Sequence, residues 1–201
     1  MKSTNKLGVS PANSKQEVGK PHLTVEEYPI REEIQKKQLE SDWYAIYTKS
    51  NFEKKTYNSL QKADFRSFLP LIKEKRVWSD RLKTVMIPLL PSYVFVNCTT
   101  VQIPQLYMIS GFVRLVSIEG KPCKLKNVEI ELMEKVIHSG LQVQITSNCE
   151  VGDKVKIIRG PLKGYEGIVE RKKGSCRIVF HLETIEESIC VEIDMADVER
   201  V

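Results

Sequence analysis

Few large apolar side chains occur before Asp42, whereas from Trp43 onward they recur in short β-branched and aromatic runs, so any core must be built from roughly residues 42–201. Ser, Asn, Lys, Gln and Glu dominate residues 1–40. Such a stretch buries too little apolar surface to offset the entropy of ordering it, which predicts a disordered N-terminal extension with at most a short charged helix over residues 26–40. The 201 residues leave room for two small domains beyond it.

Residues 43–48 (WYAIYT) suit a buried strand. Ser50 and Glu53 then stand at the spacing of a capping box, with Phe52, Thr56, Leu60 and Ala63 at near-helical intervals behind them. Residues 66–77 read as a second strand, 78–81 as a hairpin turn, and 83–97 as the return strand, broken where Pro88 and Pro91 cannot donate ladder hydrogen bonds. Alternation puts Tyr93 and Phe95 on one face of that strand and Val94 and Val96 on the other. A short helix is expected over 100–108, a strand over 113–118, and a helix capped by Asn127 that carries Ile130, Met133, Val136 and Ile137. That order predicts an α+β fold, an α/β sandwich with one antiparallel sheet. A polar linker follows over 141–150. Strand-like runs near 154–158, 167–170, 177–181, 189–193 and 198 then predict a small β-barrel over 151–201. Gly160, Gly164 and Gly167 in its first turn allow positive φ and close backbone approach.

The formal net charge of +5 is unevenly placed, with ten basic against four acidic residues between positions 43 and 97 and near balance elsewhere. A local basic field of this kind points to a polyanion. Residues 151–201 carry nine basic and ten acidic side chains, so a protein partner suits them better than nucleic acid.

Nothing local points to catalysis. The five cysteines lie 14 to 27 positions apart without a CxxC pair, and His22, His138 and His181 stand singly, so neither a metal site nor a Cys/His arrangement is indicated. The glycine-rich stretch 160–167 lacks the Lys-Ser/Thr of a phosphate loop. No cofactor is expected. The start of the chain has no apolar run of a secretory signal and no stretch suits a membrane span, so a cytoplasmic protein without membrane contact is expected.

Three stretches, WY at 43–44, PLLPSYVFV at 88–96 and VGDKVKIIRGPLKGYEGIV at 151–169, resemble in order and spacing the NusG family of transcription elongation factors. The resemblance implies an NGN domain over 41–140, a linker, and an SH3-like KOW β-barrel over 151–201. Ser92, where the general factor carries glycine, and the long N-terminal extension draw the chain toward operon-specific antiterminators of the RfaH and UpxY types, the latter acting on capsular polysaccharide operons. In the family, the positions of Tyr93 and Phe95, here preceded by Pro91, line an apolar depression that receives the clamp helices of RNA polymerase's largest subunit. The residues alone fit a core strand equally well. Lys49 and Lys55 match positions facing the non-template DNA strand, a field that Lys54, Arg76, Arg81 and Lys83 extend. Each of these also fits solvated surface. Ser50 departs from an arginine of RfaH, and no counterpart of its His-Thr-Thr-Thr run occurs near residues 99–104. The resemblance offers the KOW domain a small-subunit ribosomal protein or Rho as partner. Rival readings are a general NusG-type factor promoting Rho-dependent termination, a KOW-type ribosomal RNA-binding protein, and a cysteine-dependent enzyme.

Overall fold

The run expected to open the fold, β1 (Asp42–Thr48), sits inside the first sheet of the computed structural model, which describes residues 40–78, 81–146, 152–172 and 175–201. The expected N-terminal extension lies outside the described residues. β1 pairs antiparallel with β5 (Tyr93–Cys98), and β5 with the short β2 (Arg66–Phe68). On its other side β1 pairs with β6 (Phe112–Leu115) and, at its start, with β9 (Lys124–Leu125). β3 (Leu71–Trp78) and β4 (Arg81–Pro88) form a separate two-stranded ribbon, as do β7 (Ser117–Ile118) and β8 (Lys121–Pro122).

Both faces of the first sheet are covered. Helix α1 (Glu53–Lys62) lies on the side of Tyr44, Ile46, Val94 and Val96, where Leu60 is fully buried. Helix α3 (Asn127–His138) packs Ile130, Met133 and Val136 into the cluster on the side of Trp43, Ala45 and Phe95. Each fully buried side chain of this size contributes about 1.5–3 kcal/mol from apolar area.

The C-terminal sheet is antiparallel throughout, in the order β10 (Val143–Thr146), β14 (Glu187–Glu192), β13 (Ser175–Leu182), β12 (Glu166–Lys172), β11 (Lys154–Ile157) and β15 (Val198–Arg200). Of the three glycines expected in its first turn, Gly160 and Gly164 lie there and Gly167 lies in β12, paired with Val155. Gly160 and Gly164 adopt φ of +81° and +92°. Gly167 does not. A Cβ on Gly167 would stand 2.8 Å from the Val179 carbonyl oxygen, so close strand approach is what requires glycine there.

Several local expectations need correction. Ser50 does not cap α1: Phe52 holds that position without a side-chain bond, and the Glu53 carboxylate instead accepts the Ser92 backbone N–H at 2.8 Å. Residues 66–77 are two strands, because the chain bends at Leu69 and Pro70, both buried. The helix expected over 100–108 is a 3-10 turn (Thr100–Gln102) followed by a four-residue helix α2 (Ile103–Leu106) with Pro104 in its first turn. Asn127 is inside α3 rather than its cap, and the Glu129 carboxylate accepts the Lys126 N–H at 2.9 Å. Part of the span read as a linker, residues 143–146, is strand β10, because it pairs antiparallel with β14 from Val143 opposite Val191 to Thr146 opposite Ser188.

Candidate functional site

The alternation in β5 sorts its side chains as expected. Val94 and Val96 enter the cluster beneath α1, whereas Phe95 enters the cluster beneath α3 with Tyr93 packed against its edge. Phe95 is 0% exposed, with the Phe68 ring centroid 6.1 Å away. Tyr93 is half-buried and meets Tyr47 edge-on at 5.5 Å, and the Arg114 guanidinium lies 5.1 Å over the Tyr47 ring. Burial raises the Tyr93 phenol above its ordinary pKa; Glu187 adds to this and Arg114 opposes it. Pro91 is exposed. The three residues therefore do not form one open depression. Beside them, Ser92 holds φ +65°, costly for a non-glycine residue, and two bonds fix it there: its N–H to Glu53 and its carbonyl to the Thr48 N–H, each 2.8 Å.

The cluster containing Phe95 also contains Phe180, Leu182 and Ile185 of the C-terminal sheet and its turn. A polar seam runs alongside. Glu129, 6% exposed on α3, accepts the Thr184 hydroxyl at 2.8 Å and the Thr184 N–H at 3.3 Å while still capping its own helix at Lys126. Lys126 reaches Glu183 at 2.5 Å in an exposed pair that raises the lysine pKa and lowers that of the carboxyl. The Lys135 ammonium sits 4.7 Å over the Tyr165 ring. None of these partners was legible from sequence beyond the helix-start spacing of Glu129, because the residues that meet it lie 55 positions away.

The basic residues gather on the opposite side of the first sheet and beyond it. Lys49 is exposed just past β1, where its N–H donates to the Gly111 carbonyl at 3.0 Å. On α1, the Lys55 ammonium lies 4.9 Å over the Phe52 ring and Lys54 donates to the Met86 carbonyl at 2.6 Å. Lys54 thus ties the helix to the β3–β4 ribbon, which carries the exposed Arg81 and Lys83. Arg76 pairs with Glu74 at 2.8 Å. Two of the expected surfaces are therefore distinct: an aromatic side shared with α3 and the C-terminal sheet, and a basic side on α1 and the ribbon.

Cys98 is buried, and burial, with Asp42 adding, pushes its thiol up to about 11, away from nucleophilic use. Among the described residues no His, Cys, Asp and Glu side chains gather as a metal site, and no helix is long and apolar enough to cross a membrane.

Residues 41–134 match the family described as "Transcription termination factor nusG". The transcription termination/antitermination protein NusG of Halalkalibacterium halodurans is 21% identical over 178 residues, covering 81% of this chain and all of that protein. Its namesake from Staphylococcus aureus is 25% identical over 175 residues, covering 79% of this chain and 95% of the relative. Among solved structures, that described as "Domain interaction in Thermotoga maritima NusG" superposes with a TM-score of 0.53 at 20% identity, over 82% of this chain and 99% of that one, a likeness of fold.

Proposed function

We propose, from the match of residues 41–134 to the NusG family and the likeness to relatives of that name, that this chain is an operon-specific transcription elongation and antitermination factor that docks on RNA polymerase and suppresses pausing or termination. The observation that carries this reading is the two-sidedness of the first sheet, with Tyr93 and Phe95 on one side and Lys49, Lys54 and Lys55 on or beside the other. One side suits an apolar helix of the polymerase clamp, the other the phosphates of the non-template strand. Ser92 supports the specialised rather than the general form, since Glu53 is placed to hold a non-glycine residue at positive φ. Capsular polysaccharide operons are the expected targets. Mapping occupancy on elongating polymerase across the genome tests the reading: peaks confined to a few operons are expected, and uniform occupancy would return the chain to the general factors.

Because Phe95 is fully buried, docking at the aromatic side requires the elements beneath it to part. The C-terminal sheet, near charge balance, is assigned a protein partner, either a small-subunit ribosomal protein or Rho. For the basic side, Lys49→Gln/Lys55→Gln should lower the log–log salt dependence of binding to a paused transcription scaffold by about 2, near 0.7–0.9 per phosphate contact. An unchanged slope in titrations from low to high salt would remove these lysines from the nucleic-acid interface.

A further inference from the structure

The β3–β4 ribbon stands apart from both large sheets, and its register runs without a break from Leu71 opposite Pro88 to Trp78 opposite Arg81. Eight residues per strand give it a length of about 26 Å at ~3.3 Å per residue. Directly paired residues share a face and successive pairs alternate. One face therefore carries Lys73 with Met86, Lys75 with Thr84 and Val77 with Leu82, and the other carries Arg76 with Lys83. Val77 and Leu82 are 74% and 62% exposed, an aliphatic cross-strand pair held in water near the turn. Residues 71–88 hold five basic side chains against Glu74 and Asp80, and Arg76 already engages Glu74.

Leu71 and Ile72 anchor the base of the ribbon against the two cores, but farther out it runs as a lone pair of strands that leaves Val77 and Leu82 outside any core. Its chemistry indicates what covers it. Cations project from both faces, whereas a protein surface laid on one face would leave those of the other unmatched. A duplex groove presents phosphates along both walls, and architectural proteins that enter it drive aliphatic side chains between base steps.

We propose that the β3–β4 ribbon is an arm for double-stranded DNA that lies in the minor groove, with Lys75, Arg76, Arg81 and Lys83 on phosphates and the Val77–Leu82 pair wedged at a base step. This goes beyond the polymerase reading and does not depend on it, because the arm acts in the free protein. Its ligand is duplex, where the residues on and next to α1 are assigned single-stranded DNA. The aliphatic pair is suited to parting stacked bases rather than to stacking on unpaired ones.

The test uses the full chain without polymerase and a duplex of about 30 base pairs carrying a fluorophore pair at its ends, a length over which a protein-induced bend is readable. The wild-type chain should bind with a log–log salt slope of about −4 and bring the ends closer. Lys75→Gln/Lys83→Gln should lower the magnitude of the slope by about 2. Val77→Thr/Leu82→Thr, which places β-branched strand formers at both exposed positions, should leave the slope unchanged, weaken binding roughly 10-fold and abolish the change in energy transfer. Unaltered binding and bending in both variants would overturn the proposal, as would tighter binding of the same sequence as a single strand. Lys49→Gln/Lys55→Gln, expected to act on the scaffold and not on the duplex, separates failure of the arm from failure of the polymerase reading.

Discussion

Phe95→Ala should lower the stability of the folded chain by about 3–5 kcal/mol, the largest effect expected of any single substitution here. Phe95 has no exposed surface, sits on an inner strand between β1 and β2, and shares its cluster with α3 and the C-terminal sheet. Truncating it removes the apolar transfer energy and leaves a cavity that neighbours on ladders to either side cannot close. Urea denaturation followed by circular dichroism measures the loss, with a melting temperature lower by on the order of 10 °C. A loss below about 1 kcal/mol would mean that the cluster collapses onto the space. The size of the effect also decides how polymerase docking is to be probed. A variant lacking the Phe95 ring loses binding through misfolding as readily as through a missing contact. Tyr93, half-buried at the edge of the same cluster, is the informative position, and Tyr93→Ala at matched folded fraction reports docking.

What the sequence made legible follows from how locally each feature is determined. Strand alternation at 93–96 depends only on the period of two, and the split of Phe95 from Val94 and Val96 between two clusters is as expected. The short strands of residues 154–200 and the positive φ at Gly160 and Gly164 are likewise set by near neighbours. Failures occur where a side chain has a choice of partners. Glu53 stands at capping-box spacing from Ser50, yet the backbone N–H of Ser92, held at positive φ some 40 positions away, takes the carboxylate instead. Pro70 and Leu69 divide a run whose β-propensity is continuous, because burying them requires the bend. β10 looked like linker for the complementary reason: its four residues become a strand only through their pairing with β14. The seam at Glu129 belongs to the same class, since its partners arrive from the far end of the chain.

That seam is the place where a small change should have a functional consequence. Thr184→Val keeps the volume and the β-branch but deletes the hydroxyl that donates to the Glu129 carboxylate at 2.8 Å. A hydrogen bond to an ionised group at a buried carboxylate is worth about 1.5–3 kcal/mol, and Glu129 keeps its bonds from the Lys126 and Thr184 N–H groups, so the helix start stays capped. At 1.4 kcal/mol per tenfold, the packed arrangement of α3 and the C-terminal sheet should lose about 10- to 100-fold in population relative to a parted one. If the aromatic side accepts the polymerase only when parted, apparent affinity rises by the same factor until the parted form dominates. The neighbouring pair supplies the control. Lys126 and Glu183 are 60% and 69% exposed, where water and salt screen their attraction, so Glu183→Gln should change affinity several-fold at most. Titrating polymerase with the wild-type chain and both variants, alongside hydrogen exchange over α3, distinguishes the outcomes. Faster exchange in α3 with tighter binding for Thr184→Val supports gating by the C-terminal sheet. Faster exchange without any gain in affinity would show that the sheet leaves while Phe95 stays covered by α3, and docking at the aromatic side would then have to involve movement of α3 itself.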